Sequence, residues 1–306
     1  MKEKRIVSFL PSATELIYEL GAKDRLHGVT HECDYPIDAK NKPRVIESVF
    51  DPENMSSKEI DDKICFLSEK GEDIYKLVQD NLVNAKPDLI ISQEICEVCS
   101  AYTNQVKRAI DILDDKPEIY SMNPHDIEGI LQSVKDISKI IGKTENGEKL
   151  IRKLNSKIKN VKEMQFEEKP KVLGIEWLNP FFTAGHWVPD MIECAGGINM
   201  ITKSGDHSRK MGIEEIENAD PDVIILMPCG FGIEKTITEY EKYLKKDSRW
   251  NKLRAIMENR VFVVDANSFF SKPSIRVFTG IEILGKILHP EMFSKLEVPS
   301  NSFLKI

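Results

Sequence analysis

Long hydrophobic runs are missing from the sequence. Crossing a bilayer takes about 20 consecutive, predominantly apolar residues, and no stretch of this chain comes near that length. The apolar run that follows the basic N-terminal residues covers only residues 6–10, which is shorter than the core of a signal peptide. We therefore expect a cytoplasmic protein without membrane insertion.

Excess positive charge and several common motifs are missing as well. The chain has 43 Lys and Arg against 50 Asp and Glu, so its formal net charge is -7. Binding nucleic acid independently of sequence requires a concentrated basic face, so we expect no nucleic-acid partner. Gly-x-Gly-x-x-Gly, Walker A, Gly-x-Ser-x-Gly and His-Glu-x-x-His do not occur, so nucleotide binding and the commonest hydrolase reactions have no support from motifs.

Short aliphatic runs and segments with helical periodicity alternate along the chain, as they do in α/β proteins. Ser12 and Glu15 have the spacing of a capping box, so a helix is expected to start there and to end at Gly21. The predicted strands are residues 5–10, 27–30, 88–92, 118–121, 171–177, 223–227 and 261–265. Further helices are predicted at residues 74–84, 104–114, 125–141, 145–164 and 274–288.

The length of the chain, 306 residues, exceeds what one hydrophobic core usually serves, so two lobes are expected. The segment 145–164 is rich in lysine and has no Gly or Pro after Gly147, which favours one long, largely solvated helix. The predicted architecture is α/β, with an N-terminal lobe of residues 1–143, a connecting helix of residues 144–166 and a C-terminal lobe of residues 167–306. Each lobe is expected to hold a short, mainly parallel sheet flanked by helices.

Several segments resemble the vitamin B12 and iron-siderophore class of substrate-binding proteins. They are the opening RIVSFLPSATELIYELGAKDRLHGVTHECDYP, then KPDLII, FTAGHWVPDMIECAGGINMI and ADPDVIIL, together with the long connecting helix. The resemblance covers nearly the whole chain, and it implies two lobes joined by one rigid helix with a ligand cleft between them. Members of this class usually deliver corrinoids, haem or siderophores to an ABC importer, which would be a partner of this chain only if it is exported. The motifs HECDYP, CEVC, GHWVP and PCGF resemble a subgroup without export signals that is usually called cobalamin-binding.

Cysteine side chains follow several of the predicted strands. Cys96 and Cys99 form a Cys-x-x-Cys pair, which can bind one metal ion, act as a redox pair or have no function as a pair. If the fold implied by the resemblance brings Cys33 and Cys229 to the same cleft, four thiolates suit zinc or an iron–sulfur cluster. We therefore predict a metal site at Cys33, Cys96, Cys99 and Cys229.

Histidine, carboxylate and aromatic side chains are also predicted near the ends of strands, where open α/β sheets bind ligands. His31 beside Glu32 suits a metal, the axial position of a corrinoid or proton exchange, or else it is a loop histidine bonded to the backbone. Trp187 beside His186 offers a flat surface to a ring-shaped ligand, unless it only packs within the protein. The predicted ligand-binding residues are His31, Glu32, Glu176, Trp177, His186, Trp187, Ser208, Arg209, Phe269 and Phe270.

The sequence leaves three functions open. The leading one is a cytoplasmic small-molecule binding protein that holds a corrinoid or another metal complex between its lobes. The second is a metalloenzyme on the same fold, in which the cysteines hold zinc or an iron–sulfur cluster. The third is the substrate-binding subunit of an ABC importer for cobalamin or iron complexes, with Glu15, Glu214 and Glu215 as candidate docking residues.

Overall fold

The computed structural model describes residues 3–93 and 101–306. The chain divides into two compact units, and each unit is built from three stretches of sequence. Unit 1 comprises Met1–Asn54, Asp62–Pro124 and Glu128–Arg152. Unit 2 comprises Met55–Asp61, His125–Ile127 and Lys153–Ile306.

Unit 1 is a mainly parallel sheet flanked by helices. Its strands are β1 (Ile6–Ser8), β2 (Leu26–Thr30), β3 (Arg44–Ser48), β4 (Tyr75–Leu77), β5 (Leu89–Gln93) and β6 (Glu118–Met122). In the described residues they run in the order β4-β3-β2-β1-β5-β6, and all pairs are parallel except β3 with β4. The helices are α1 (Pro11–Glu19), α2 (Ser57–Glu69), α3 (Gln79–Ala85), α4 (Ala101–Ile112), α5 (Ile127–Ile140) and α6 (Thr144–Lys162), of which α2 and α5 begin and α6 ends in stretches assigned to unit 2.

Aliphatic side chains from neighbouring strands form a core in unit 1. Val7, Val45 and Ile90 are fully buried, and they pack with Leu82 of α3 and Ala109 of α4. Because helices cover a parallel sheet, its strands bury both faces and appear in the sequence as continuous apolar runs. This burial explains why the run at residues 88–92 was recognisable as a strand.

Unit 2 is built round a second sheet with antiparallel margins. Its strands are β7 (Lys171–Leu178), β8 (Phe181–Thr183), β9 (Ile198–Asn199), β10 (Arg209–Lys210), β11 (Val223–Leu226), β12 (Val261–Val264) and β13 (Phe303–Lys305). In the described residues the order is β10-β8-β7-β11-β12-β13, and β9 pairs with the start of β7. β7, β11 and β12 are parallel, whereas β8, β10 and β13 are antiparallel to their neighbours. The helices are α7 (Val188–Cys194), α8 (Ile213–Ala219), α9 (Ile233–Tyr243), α10 (Arg254–Met257), α11 (Ala266–Phe269) and α12 (Val277–Leu288).

Trp250 is a large, fully buried side chain in the core of unit 2. Its ring stacks on Phe181 with centroids 5.8 Å apart and planes inclined by 16°. Leu173, Ile224 and Val263 from the three parallel strands are buried in the same cluster. The indole therefore fills space between the sheet and the segments that cover it.

The structure confirms the predicted α/β class, with mainly parallel sheets flanked by helices. The long helix predicted at residues 145–164 is α6. Leu150, Leu154 and Val161 bury one face of α6, so this helix is less solvated than its lysine content indicated.

Two local predictions are wrong. The segment 74–84 is not one helix, because its first residues form β4 and only Gln79–Ala85 is helical. The capping box of Ser12 and Glu15 does not form, because α1 begins at Pro11 and no side chain caps its start. Proline suits the first helical position, where an N–H would have no partner within the helix.

Candidate functional site

Unit 2 gathers polar and aromatic side chains at the carboxyl ends of β7 and β11. The Cys229 N–H donates to the Glu176 carbonyl oxygen at 3.0 Å, and the rings of Trp177 and Phe231 lie 5.3 Å apart. Open α/β sheets bind ligands at the carboxyl ends of their parallel strands. We call Glu176, Trp177, Cys229 and Phe231 the carboxyl-edge site; the structure thus brings together three of the residues singled out from the sequence.

The carboxyl-edge site combines an aromatic surface with a positive charge. Trp177 is half-buried, and Cys229 is exposed. The Lys235 ammonium lies 4.2 Å from the centroid of the Phe231 ring, where cation and ring attract each other. A ligand at this edge would meet an indole face and a nearby cation.

A buried carboxylate fixes the surroundings of Trp177. The indole N–H of Trp177 donates to the Ser57 carbonyl oxygen at 3.2 Å. Ser57 in turn donates its N–H to Glu239 Oε2 at 2.9 Å, and its hydroxyl donates to the same oxygen. Glu239 is only 3% exposed, so these bonds form away from water and hold the start of α2 against α9. No local pattern pointed to Ser57 or Glu239, because they lie far from Trp177 along the chain.

Three histidines from three separate segments meet elsewhere in unit 2. The ring centroids of His186 and His207 lie 5.2 Å apart, those of His125 and His207 5.7 Å apart, and those of His125 and His186 6.1 Å apart. We call these three side chains the imidazole cluster. Of the three, only His186 is among the predicted ligand-binding residues, because nothing in the local pattern connects it with the other two.

The backbone of His186 is held in an uncommon conformation. Its φ is +54°, in the left-handed region that only a small fraction of non-glycine residues adopt. The His186 N–H donates to the Asp206 carbonyl oxygen at 2.6 Å, and the Gly205 N–H donates to the His186 carbonyl oxygen at 3.1 Å. Burial is the main cause, with the neighbouring His207 and His125 acting in the same direction, and together they lower the pKa of His186 to about 4. His186 is therefore a neutral imidazole near pH 7.

The position of His186 and Trp187 differs from the predicted one. Both were expected to follow β7 at its carboxyl end, but the chain first reverses into β8, which pairs antiparallel with β7. Because Ile175 faces Thr183 in this hairpin, the residues after β8 return alongside the earlier part of β7. The imidazole cluster is thus separate from the carboxyl-edge site.

Three predicted aromatic ligand residues are buried in unit 2. Trp187 is 5% exposed, and its indole N–H donates to the Phe270 carbonyl oxygen at 2.8 Å. Phe269 and Phe270 are 8% and 2% exposed, and the Arg276 guanidinium lies 4.9 Å from the Phe269 ring centroid. Trp187 therefore packs within the protein, the alternative that the sequence left open for it, and Phe269 and Phe270 are buried in the same way. We do not include them in the carboxyl-edge site.

Arg209 and Ser208 lie in and beside β10. The guanidinium of Arg209 forms an ion pair with Glu215, which raises the pKa of Arg209. Ser208 Oγ is buried and has no hydrogen-bond partner among the described residues. Their predicted role in ligand binding stays a prediction, although Glu215 already neutralises much of the charge of Arg209.

His31, Glu32 and Cys33 lie in unit 1, directly after β2. The His31 N–H donates to the Ile46 carbonyl oxygen at 3.0 Å, and the His31 and Tyr75 ring centroids lie 5.6 Å apart. The Glu32 N–H donates to Thr30 Oγ1 at 3.2 Å. This bond involves only the main chain; the imidazole Nδ1 of His31 is buried without a hydrogen-bond partner among the described residues, and the ligand role of His31 stays a prediction.

The predicted cysteine site is only partly within the described residues. Cys33 is fully buried, with its sulfur 3.2 Å from Thr14 Oγ1 and 3.4 Å from Thr30 Oγ1. Burial raises the pKa of the Cys33 thiol, whereas metal ligation requires the thiolate. Cys96 and Cys99 lie outside the described residues. Within residues 3–93 and 101–306, no three His, Cys, Asp or Glu side chains have donor atoms gathered for a metal ion, so the four-cysteine site stays a prediction.

We expect the Cys33 thiol to weaken the fold at alkaline pH. In the folded protein it stays protonated above the ordinary thiol pKa of about 8.5, whereas in the unfolded chain it ionises. The unfolded state thus loses a proton that the folded state retains, and the free energy of unfolding falls as pH rises through this value. Denaturant unfolding between neutral pH and pH 10 measures the slope. The slope should be shallower in Cys33→Ala and unchanged in the exposed-residue control Cys229→Ala; equal slopes in wild type and Cys33→Ala would contradict the prediction.

Comparison with known proteins identifies the family of the chain. A model of the periplasmic binding protein family matches residues 6–268. The chain belongs to this family. None of the helices in the described part of the chain combines the length and the apolar composition of a membrane span.

Two relatives match this chain over nearly its full length. The uncharacterized ABC transporter substrate-binding lipoprotein YvrC of Bacillus subtilis (strain 168) is 23% identical over 95% of this chain and 82% of its own length. The vitamin B12-binding protein of Vibrio campbellii is 21% identical over 91% of this chain and 86% of its own length.

Solved structures share the fold of the family at similarly low identity. An ABC transporter substrate-binding protein from Listeria monocytogenes EGD-e superposes with a TM-score of 0.73 at 20% identity, over 95% of this chain and 100% of that one. The structure of Staphylococcus aureus IsdE complexed with haem superposes with a TM-score of 0.69 at 17% identity, over 94% of this chain and 99% of that one.

Proposed function

We propose that this chain is the substrate-binding subunit of an ABC importer and that its substrate is a planar metal complex, a corrinoid or a haem. The observation that carries the proposal is the similarity, over nine-tenths of the chain, to a vitamin B12-binding protein and to a protein solved with haem. Both ligands are large conjugated or partly conjugated rings round a metal. The substrate class common to them is therefore proposed for this chain.

The carboxyl-edge site supports a ring-shaped substrate. Trp177 is half-buried, so part of its indole is accessible, and the Ser57 carbonyl oxygen fixes its orientation through the indole N–H. Aromatic faces stack favourably on conjugated rings, with about 1 kcal/mol gained beyond the burial of area. Lys235 adds a cation that would attract an acidic ring substituent. The edge thus offers the two kinds of contact that a haem-like ligand uses.

The comparisons favour the importer role over the two other functions left open by the sequence. Neither relative reported above is named as an enzyme, and one is named as an ABC transporter substrate-binding lipoprotein. The cytoplasmic location stays a prediction. An importer subunit captures its substrate outside the cytoplasmic membrane, so cell fractionation that finds the native protein only in the cytoplasm would count against the proposal.

The structure changes the set of glutamates that could dock onto a transporter. Glu15 is 2% exposed, so it cannot contact a transporter and that expectation is wrong. Glu214 and Glu215 are at the surface, where they form ion pairs with Arg249 and Arg209. Docking through these two glutamates would have to compete with the existing pairs.

Ligand titration tests the proposed substrate class. Purified protein is titrated with haemin and with hydroxocobalamin, and both the ligand absorption spectrum and tryptophan fluorescence are followed. We expect one of them to bind at micromolar concentration or below, and Trp177→Ala to weaken it about tenfold, which corresponds to the loss of one stacking contact. Phe66→Ala, an exposed aromatic residue of α2, serves as the matched control and should bind as wild type. Failure of both ligands to bind would refute the substrate class, and unchanged affinity in Trp177→Ala would refute the carboxyl-edge site.

A further inference from the structure

We propose that His125, His186 and His207 form a binding site for a divalent transition-metal ion that prefers imidazole ligands, such as Zn²⁺, Co²⁺ or Ni²⁺. This site is independent of the proposed transport function and of the cysteine site predicted from the sequence. It lies entirely within unit 2, and its members come from the stretch His125–Ile127, the loop after β8 and the loop before β10.

The spacing of the three rings suits one shared ion. An imidazole nitrogen binds zinc at about 2.0 Å, which puts each ring centroid roughly 3 Å from the ion and any two centroids of a tetrahedral site roughly 5 Å apart. The observed separations are 5.2, 5.7 and 6.1 Å. In the described residues the donor nitrogens have not converged on one point, so binding requires the rings to turn. Since the centroids are already near the required spacing, side-chain rotation and a small approach of the rings suffice.

A buried atom in the imidazole cluster has no partner. His186 Nδ1 is inaccessible to solvent and forms no hydrogen bond within the part of the chain that the structure describes. A buried polar atom without a partner costs about 1–3 kcal/mol, so native proteins nearly always satisfy such atoms. A metal ion between the rings would give this nitrogen a partner and would at the same time engage the two neighbouring imidazoles.

The backbone round His186 is built to hold one geometry. A side chain at Gly185 would meet the Asp206 carbonyl oxygen and the Ser208 nitrogen, each at 2.5 Å, so only glycine lets the two loops approach this closely. His186 itself keeps a left-handed φ of +54°, a strain that is commonly retained at functional sites. The two loops therefore present His186 and His207 to each other in a fixed arrangement.

The third member is anchored separately. The Ile127 N–H donates to Asp190 Oδ2 of α7 at 3.2 Å, which fastens the short stretch that carries His125. The neighbouring Asp206 carboxylate accepts the Lys203 N–H at 2.8 Å instead of entering the cluster. A site of imidazoles alone selects ions such as zinc, cobalt or nickel over magnesium and calcium, which take oxygen ligands.

Cobalt titration of tag-free, EDTA-treated protein tests the proposal. We expect one equivalent of Co²⁺ to bind with the visible d–d absorption of a low-coordinate nitrogen site, and Zn²⁺ to displace it. His207 is exposed, so His207→Gln should fold normally and lose affinity by about 100-fold or more, because even the outer-shell partners of a metal ligand contribute about 10- to 100-fold. His125→Gln should show the same loss. The matched control, His27→Gln of unit 1, should titrate as wild type.

Two results would overturn the proposal. One is wild-type protein that binds neither Co²⁺ nor Zn²⁺ at micromolar concentration. The other is binding that survives in His207→Gln and His125→Gln but disappears in Cys99→Ser, together with an intense near-ultraviolet thiolate-to-cobalt band. The second result would assign the metal to cysteine ligands instead.

Discussion

Replacing Trp250 with alanine is expected to destabilise the protein by about 3–5 kcal/mol, the usual cost of truncating a large buried aromatic side chain. Trp250 is fully buried and stacks on Phe181, so the truncation removes the contact and leaves a cavity against the parallel strands of unit 2. Denaturant unfolding followed by circular dichroism measures the loss. Circular dichroism is used because the substitution removes a tryptophan, which changes the fluorescence independently of unfolding.

The phenylalanine variant separates packing from hydrogen bonding at the same position. The Trp250 indole nitrogen has no hydrogen-bond partner in the described residues, so Trp250→Phe breaks no bond and loses only part of the buried volume. We expect it to cost about 1–2 kcal/mol, clearly less than alanine. If phenylalanine is as destabilising as alanine, the indole nitrogen has a partner and the packing argument fails.

Removal of the Glu239 carboxylate is expected to cost about 2–3 kcal/mol, because two buried donors of Ser57 lose a charged acceptor. The effect should reach the carboxyl-edge site. Without Glu239 the start of α2 is no longer fixed, so the Ser57 carbonyl oxygen moves away from the Trp177 indole. Glu239→Ala should therefore change the tryptophan emission and weaken ligand binding as well as lowering the free energy of unfolding.

Another glutamate on the same helix provides the control. Glu241 of α9 is exposed and pairs with Lys245 one turn later, so Glu241→Ala should cost less than about 0.5 kcal/mol. Glu239→Gln keeps an oxygen acceptor and should fall between alanine and wild type. Equal effects of Glu239→Ala and Glu241→Ala would show that the buried carboxylate does not hold Ser57 in place.

The sequence predicted the central elements of both units but not their margins. β5, β7 and β11 were recognisable because burial on both faces makes them continuous aliphatic runs. β10 and β13 were missed, since they are short and largely exposed and carry no alternating pattern. The residues of β4 were predicted to be helical, because only their pairing with β3 makes them a strand.

Residues of the candidate site could be predicted only where they lie at or just after the end of a strand. Glu176 and Cys229 come next to aliphatic runs, so the rule that ligands bind at carboxyl ends pointed to them. His125 and Glu239 gave no signal, because their importance depends on partners in distant segments, His186 and Ser57. Pairings of this kind arise from tertiary packing, which local periodicity does not encode.

Unit 2 borrows two short stretches from the part of the chain that otherwise builds unit 1, Met55–Asp61 and His125–Ile127. A fragment that begins at Lys153 would therefore contain the whole second sheet and still be an incomplete protein. Its buried Glu239 would face no Ser57, and its His186 would lack one of its two imidazole neighbours. Cutting the gene within the long helix α6, or exchanging domains there, would thus leave unit 2 incomplete. A version of unit 2 that folds on another protein would have to include both short stretches.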